Sequence, residues 1–298
     1  LLAVSQVPAA NILAKDGVAT QEKTTAKRPS IYGKSGIVID AKSGKILFQK
    51  KIDDRHYPAS ITKILTTLVA IENNKDLYDE VNFSSYAVNS IEPGSTHIGI
   101  QAGEKIPLID VLNAIMLESA NEACNGAAEH TAGTTKKFVE LMNKKVKELG
   151  LKNTQFKNCT GLDEEGHYST AYDMAVIARE LLKHEDILKF SSKYEDYLRV
   201  NTPNKFWLVN TNKLVRFYEG ADGLKTGHTD AAKYCLAATA KKNDMRLIAI
   251  VLGEEVSKVR NSETMALLDY GFNTYKVQIV KKKNETVKTE RIEKASTK

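Results

Sequence analysis

The sequence predicts an α+β protein in three layers, with one antiparallel sheet built from both chain ends and helices packed on it. Three observations lead there. Two strand-like runs stand near the start, at residues 36–40 and 45–49, and two more near the end, at 234–240 and 246–252. Between them the apolar residues recur at helical spacing. Strands gathered at the two ends, with helices between, pair most simply in a single sheet.

The elements follow in order. The opening stretch is apolar and contains Val7-Pro8-Ala9, a small-x-small pattern of the kind cut after a secretory leader. Residues 1–30 are therefore expected to be a signal-peptide remnant and a polar linker, with structure beginning near Ile31. Ala41-Lys42-Ser43-Gly44 is turn chemistry joining the first two strands into a hairpin. A helix is expected from about Ala59 to Glu72, where Ile61, Ile64, Leu65, Leu68 and Val69 form one apolar stripe and Pro58 sits just before the start. A second apolar helix covers 108–117 and stops at Glu118-Ser119-Ala120-Asn121. A small-residue helix follows over 122–130, then an amphipathic one over 136–149 with Gly150 as its stop. Thr170-Ala171-Tyr172-Asp173 resembles a capping box for a helix through Leu182. The last helix is expected over 262–270. Beyond it, Val277 and Ile279 alternate in a charged stretch, and 274–298 are expected to be the start of a truncated β-rich unit.

The bulk numbers narrow the class. A chain of 298 residues that is 42% hydrophobic buries a real core in one large domain. The net charge of +6 favours anionic surfaces such as wall polymers or lipid headgroups. No run approaches the ~18–20 apolar residues of a membrane span. Three cysteines are too few for a disulfide framework. No spacing of metal-ligand residues stands out, so neither a metal nor another cofactor is expected, and nothing points to nucleic acid.

Three short motifs carry chemistry. The first is Ser60-Ile61-Thr62-Lys63. One helical turn separates Ser60 from Lys63, so the amine reaches the hydroxyl. A serine needs a base to become a nucleophile, and a lysine is that base only where burial or nearby positive charge lowers its pKa. The second is Ser119-Ala120-Asn121, at a break between two apolar helices, where a hydroxyl and a carboxamide can face a cleft. The third is Lys225-Thr226-Gly227-His228, where Gly227 permits close backbone approach and Lys225 and Thr226 suit a carboxylate. Each alone reads as well as a helix cap or a hairpin end. All three in this order form the set shared by class A β-lactamases and penicillin-binding proteins.

At these residues the chain resembles the serine-type D-alanyl-D-alanine carboxypeptidases, the low-molecular-mass penicillin-binding proteins, with the closest look to those of spore-forming bacteria. Tyr57 to Lys63, Glu118 to Cys124, Gly161 to Met174 and Asp222 to Thr229 all carry the likeness. The resemblance implies a β-lactamase/DD-peptidase-like fold over 31–273, acting on peptidoglycan pentapeptide stems and acylated by β-lactam antibiotics. It implies Ser60, Lys63 and Ser119 as catalytic residues. Asn121, Lys225, Thr226, Gly227, His228 and Arg260 would bind substrate, and the backbone N–H groups of Ser60 and His228 would form the oxyanion hole. It also implies an exported protein at the outer face of the cytoplasmic membrane or in the wall, held there by a C-terminal anchor beyond these residues. Asn158-Cys159-Thr160 departs from the family's usual Asn-Pro before the Gly-Leu pair, which puts the shape of that loop in question. Two rival readings stay open. A β-lactamase would use Glu164 or Glu165 to activate water, although Leu162 to His167 reads as a polar surface loop. A penicillin-sensing protein would acylate without turnover.

Overall fold

A computed structural model describes residues 18–22 and 26–279, with the backbone alone described for 18–22 and 277–279. The expected leader and its cleavage site lie outside the described residues, as do residues 280–298.

The chain begins with strands β1 (Val18–Glu22), β2 (Ser35–Asp40) and β3 (Ile46–Lys50), then a 3₁₀ turn (Ala59–Thr62) leading into α1 (Lys63–Asn73). There follow β4 (Glu80–Asn82), α2 (Ser85–Asn89), β5 (Lys105–Pro107), α3 (Leu108–Leu117), α4 (Asn121–Ala132), α5 (Thr135–Glu148), α6 (Ala171–Leu181) and α7 (Asp186–Ser191). The hairpin β6 (Glu195–Leu198) and β7 (Phe206–Val209) precedes α8 (Leu214–Phe217). The chain ends with β8 (Ala221–Thr229), β9 (Lys233–Lys242), β10 (Met245–Glu254), α9 (Ser257–Thr274) and β11 (Tyr275–Ile279).

Both chain ends do build one sheet. Its order is β3-β2-β10-β9-β8, antiparallel throughout, with Ile250 opposite Ile37 and Ala249 opposite Ala238. Side chains alternate between the two faces of a strand, and here both faces are covered. Ile37, Ile39, Ile248 and Ile250 join the main core with α1, α3, α4 and α6. Val38, Leu247, Ala249 and Val251 join a second core with Leu267 and Leu268 of α9. That is why Leu247 through Leu252 are all fully buried. The result is the expected three-layer α+β arrangement, with β8 at an open edge.

Four local expectations change. Residues 18–22, read as linker, form β1, which pairs with β11 from Val18 opposite Ile279 to Glu22 opposite Tyr275. A polar strand of this kind depends on ladder bonds to a partner more than 250 residues away, which local pattern does not register. Residues 275–279 of the expected stub are thereby tied to the N-terminal segment. The helix at Ala59 opens as a 3₁₀ turn, and the α-helix proper starts at Lys63. The last helix spans 18 residues, more than the sequence suggested. Other signals hold: Gly150 turns left-handed (φ +72°) after α5, and the Thr170 hydroxyl accepts from Asp173 N. The Asp173 carboxylate does not close the box. It accepts instead from Asn153 N and the Thr154 hydroxyl.

Candidate active site

The site forms where the start of α1, the α3–α4 junction, the loop before α6 and strand β8 meet. Ile61, Ile64, Leu65 and Leu68 anchor the first of these and are fully buried. Each contributes roughly 1.5–3 kcal/mol of hydrophobic stabilisation. This holds Ser60 half-exposed at the surface of the core while Lys63, one turn on, is buried at 0% exposure.

The Lys63 amine makes three contacts. Its Nζ lies 3.1 Å from Ser60 Oγ, 2.8 Å from Asn121 Oδ1 and 2.6 Å from the Thr160 carbonyl oxygen. Two of these partners, the Asn121 and Thr160 oxygens, are acceptors only. A neutral amine has two N–H bonds and one lone pair, so the third position faces the Ser60 hydroxyl as an acceptor. Burial lowers the Lys63 pKa, with the Glu122 carboxylate among the charges opposing it, and so favours that neutral form.

Lys225 is the second buried lysine, again at 0% exposure, and its Nζ donates to the Thr226 carbonyl at 3.0 Å. Burial pushes its pKa well down, and the positive charges of Lys63 and Arg260 push the same way. Strand β8 packs hard on the turn that carries Ser60. A Cβ added at Gly227 would stand 2.9 Å from Ser60 N and 3.1 Å from Ile61 N. The Thr226 hydroxyl donates to Thr211 Oγ1 at 2.7 Å, and Thr211 N donates to the Leu117 carbonyl. The free edge of β8 leaves backbone groups for an extended peptide to pair with.

Ser119 stands at the α3–α4 junction with φ +70° and 7% exposure. Its hydroxyl has no hydrogen-bond partner among the described residues. The junction is braced on two sides. Glu118 Oε1 accepts from Val209 N, and Asn121 N donates to the Thr96 carbonyl.

His228 and Arg260 sit further along. His228 is exposed, and its ring stacks on Tyr234 at 4.1 Å. Arg260 is buried, at 6% exposure. It bonds the Cys235 carbonyl at 3.3 Å and the Asn261 side chain, and lies 5.8 Å from the centre of the Tyr234 ring. Burial pulls its pKa down to about 10. Arg260 thus lies one strand behind β8, linked to His228 through the Tyr234 ring.

The loop before α6 supplies what motif reading missed. The Thr160 carbonyl has no side-chain signature, and only the neighbouring Gly161 hints at a tight backbone. Gly161 is left-handed (φ +88°), and a Cβ there would meet the Ala59 carbonyl oxygen at 2.0 Å. Asn158 Oδ1 shapes the turn by accepting from Gly161 N at 2.8 Å, so the loop closes without the family's proline. Glu164 and Glu165 are exposed on this loop, and Glu164 accepts from Asn158 Nδ2. Among the described residues no cluster of His, Cys, Asp or Glu is arranged to hold a metal, and no helix is long and apolar enough to cross a membrane.

Comparison with known proteins agrees with this geometry. Residues 22–256 match the family described as D-alanyl-D-alanine carboxypeptidase. The chain is similar to D-alanyl-D-alanine carboxypeptidase DacF of Bacillus subtilis, 48% identical over 269 residues covering 89% of this chain and 68% of the relative. It is also similar to DacC of Escherichia coli, 34% identical over 280 residues, with 90% and 68% covered. Among solved structures it resembles penicillin binding protein 5 from Haemophilus influenzae, with TM-score 0.77, 34% identity, and 83% and 73% of the two chains covered. It likewise resembles a variant of the Streptomyces K15 DD-transpeptidase, with TM-score 0.78, 26% identity, and 83% and 100% covered. A family match across most of the chain, on a fold that gathers the serine, the buried lysine and the asparagine, shows that the chain belongs to the D-alanyl-D-alanine carboxypeptidase family.

Proposed function

We propose that Ser60 is the nucleophile of a serine D-alanyl-D-alanine carboxypeptidase that removes the terminal D-Ala of peptidoglycan pentapeptide stems. The observation that carries this is the Lys63 amine, held by two obligate acceptors with its third position on the Ser60 hydroxyl. In acylation, Ser60 Oγ attacks the penultimate D-Ala carbonyl and Lys63 Nζ takes the hydroxyl proton. The C–N bond breaks, terminal D-Ala departs as an amine with a proton returned to it, and an ester forms on Ser60. Water then attacks the ester and releases the shortened stem, restoring the Ser60 proton.

The remaining residues have distinct tasks in this reading. The substrate carboxylate is met by Lys225 and Thr226. Its negative charge favours the proton on Lys225, which leaves Lys63 the neutral partner of the pair. Ser119 relays the proton toward the leaving amine. Backbone N–H groups of Ser60 and His228 stabilise the oxyanion, and Gly227 lets β8 come close enough for them to converge. Arg260 supports the carboxylate end through the Tyr234–His228 stack. The catalytic unit is 31–273. Penicillins acylate Ser60 as slow mimics of the stem.

Peptidoglycan lies outside the cytoplasmic membrane, so the enzyme acts there, and the leader-like residues 1–9 fit export. The β-lactamase reading is not favoured, because Glu164 and Glu165 point to solvent and neither is bonded to Ser60 or Lys63. The test is release of D-Ala from a synthetic wall pentapeptide, run beside Ser60→Ala. Release by the wild type and none by the variant is expected. Penicillin labelling without D-Ala release would instead support the sensing role.

A further inference from the structure

His167 is the one fully buried imidazole near the site, at 1% exposure. It was part of the family-like stretch, yet no role attaches to it there. Its ring meets two partners. Nδ1 accepts from Lys157 N at 3.2 Å, and Nε2 lies 3.0 Å from Thr62 Oγ1. The first bond settles the tautomer: Nδ1 carries the lone pair, so Nε2 carries the hydrogen and donates to the Thr62 hydroxyl. The ring is further fixed edge-on to Phe156 at 5.3 Å.

Its two partners belong to the two pieces that must stay in register. Thr62 lies between Ser60 and Lys63 on the 3₁₀ turn. Lys157 opens the loop whose Thr160 carbonyl holds Lys63 Nζ at 2.6 Å. One further side-chain bond joins the same two pieces, from the Thr66 hydroxyl to the Cys159 carbonyl at 2.7 Å. That bond sits a turn beyond Lys63, whereas the imidazole sits on the Ser60 side.

We propose that His167 is a positioning residue for catalysis, clamping the Ser60 turn to the Thr160 loop so that the Lys63 lone pair stays aimed at the Ser60 hydroxyl. It touches no reacting atom. It acts by keeping the Thr160 carbonyl where it can occupy one Lys63 N–H. Misplacing a catalytic group by about 1 Å costs up to about 100-fold in rate without removing any catalytic atom. The proposal rests on Ser60 and Lys63 being nucleophile and base.

The test uses the whole chain, with active sites counted by fluorescent penicillin and D-Ala release measured from a pentapeptide. His167→Asn presents a carbonyl near the Nδ1 position but loses the donor to Thr62. Thr62→Val removes the acceptor at nearly constant volume. Each is expected to lower kcat about 10- to 100-fold with KM within about 3-fold, and the double variant is expected to be no slower than the slower single. His167→Gln reaches Thr62 with its own N–H and is expected to keep kcat within about 3-fold. Wild-type kcat per labelled site in Thr62→Val and His167→Asn, with only the melting temperature lowered, would overturn the clamp. So would multiplying losses in the double variant, or a Gln variant as slow as Asn. Should His167→Asn not fold, Thr62→Val alone decides by the same criterion. Persistent D-Ala release by Ser60→Ala is a separate outcome, and it would sink the nucleophile assignment rather than the clamp.

Discussion

Gly227 lies against the backbone nitrogen of Ser60 so closely that a single added methyl would stand 2.9 Å from it. The contact explains why a glycine follows Lys225 and Thr226: any side chain would force β8 away from the turn that carries Ser60. Gly227→Ala is expected to fold, because the strand can shift outward at the sheet edge. It is expected to lose about 100-fold in the penicillin acylation rate. Stopped-flow acylation beside a thermal melt checks this. A variant that acylates at the wild-type rate would show that close approach is not required.

Lys63 is buried with its pKa depressed, mainly by burial. The acylation rate is therefore expected to rise with pH as the amine loses its proton, and to level off once it is neutral. The limb should fall below the 10.5 of a free lysine. Lys63→Arg keeps a positive charge but cannot lose it near neutral pH, so acylation is expected to drop on the order of 1,000-fold at every pH. Rate-versus-pH curves for both proteins test the base assignment.

His167 also leaves a mark on stability. Burial pulls its pKa from 6.5 down to about 4. Between those values the unfolded chain takes up a proton that the folded one refuses. The stability tied to the neutral ring is complete above pH 6.5 and is lost as pH falls toward 4. The loss approaches about 3 kcal/mol. Denaturant melts across this window should show a steeper acid decline for the wild type than for His167→Asn, which has no such group. Parallel declines would contradict the assignment of that proton.

The thiols of Cys124, Cys159 and Cys235 are all buried and free. Burial pushes Cys124 and Cys235 to about 11 and raises Cys159 as well. Alkylation at pH 8 is expected to run at least about 100-fold slower than for an exposed cysteine, since thiolate is the reacting form. Cys124 is one turn from Asn121, so activity is expected to fall in step with its modification. Timed iodoacetamide labelling, read by mass and by D-Ala release, checks both points. Rapid labelling would show the site to be open, and full activity after complete Cys124 alkylation would separate the thiol from the site.

Much of this was legible in the residues, and for a physical reason. The strands at both ends and the apolar helices between them are marked by burial periodicity, which is local. Ser60, Lys63 and Asn121 are marked by motifs of reactive and polar side chains, and the fold brings those three together. The pairing of 18–22 with 275–279 was hidden because residues 18–22 show no alternation, and the short alternation at Val277 and Ile279 does not say which distant strand it meets. The Thr160 carbonyl was hidden because a backbone atom has no residue signature. Arg260 was named by resemblance, but nothing in the residues around it gives its burial or its contacts. Only the packing of α9 on β9 shows it buried against Cys235 and Tyr234.

The central claim is that Ser60 carries the acyl group, and one measurement addresses it directly. The protein is treated with penicillin, digested with trypsin and mapped by mass spectrometry, where cleavage after Arg55 and Lys63 isolates residues 56–63. The account predicts one penicilloyl adduct on that peptide at Ser60, absent from Ser60→Ala. An adduct on another peptide, or one that survives in Ser60→Ala, would contradict it.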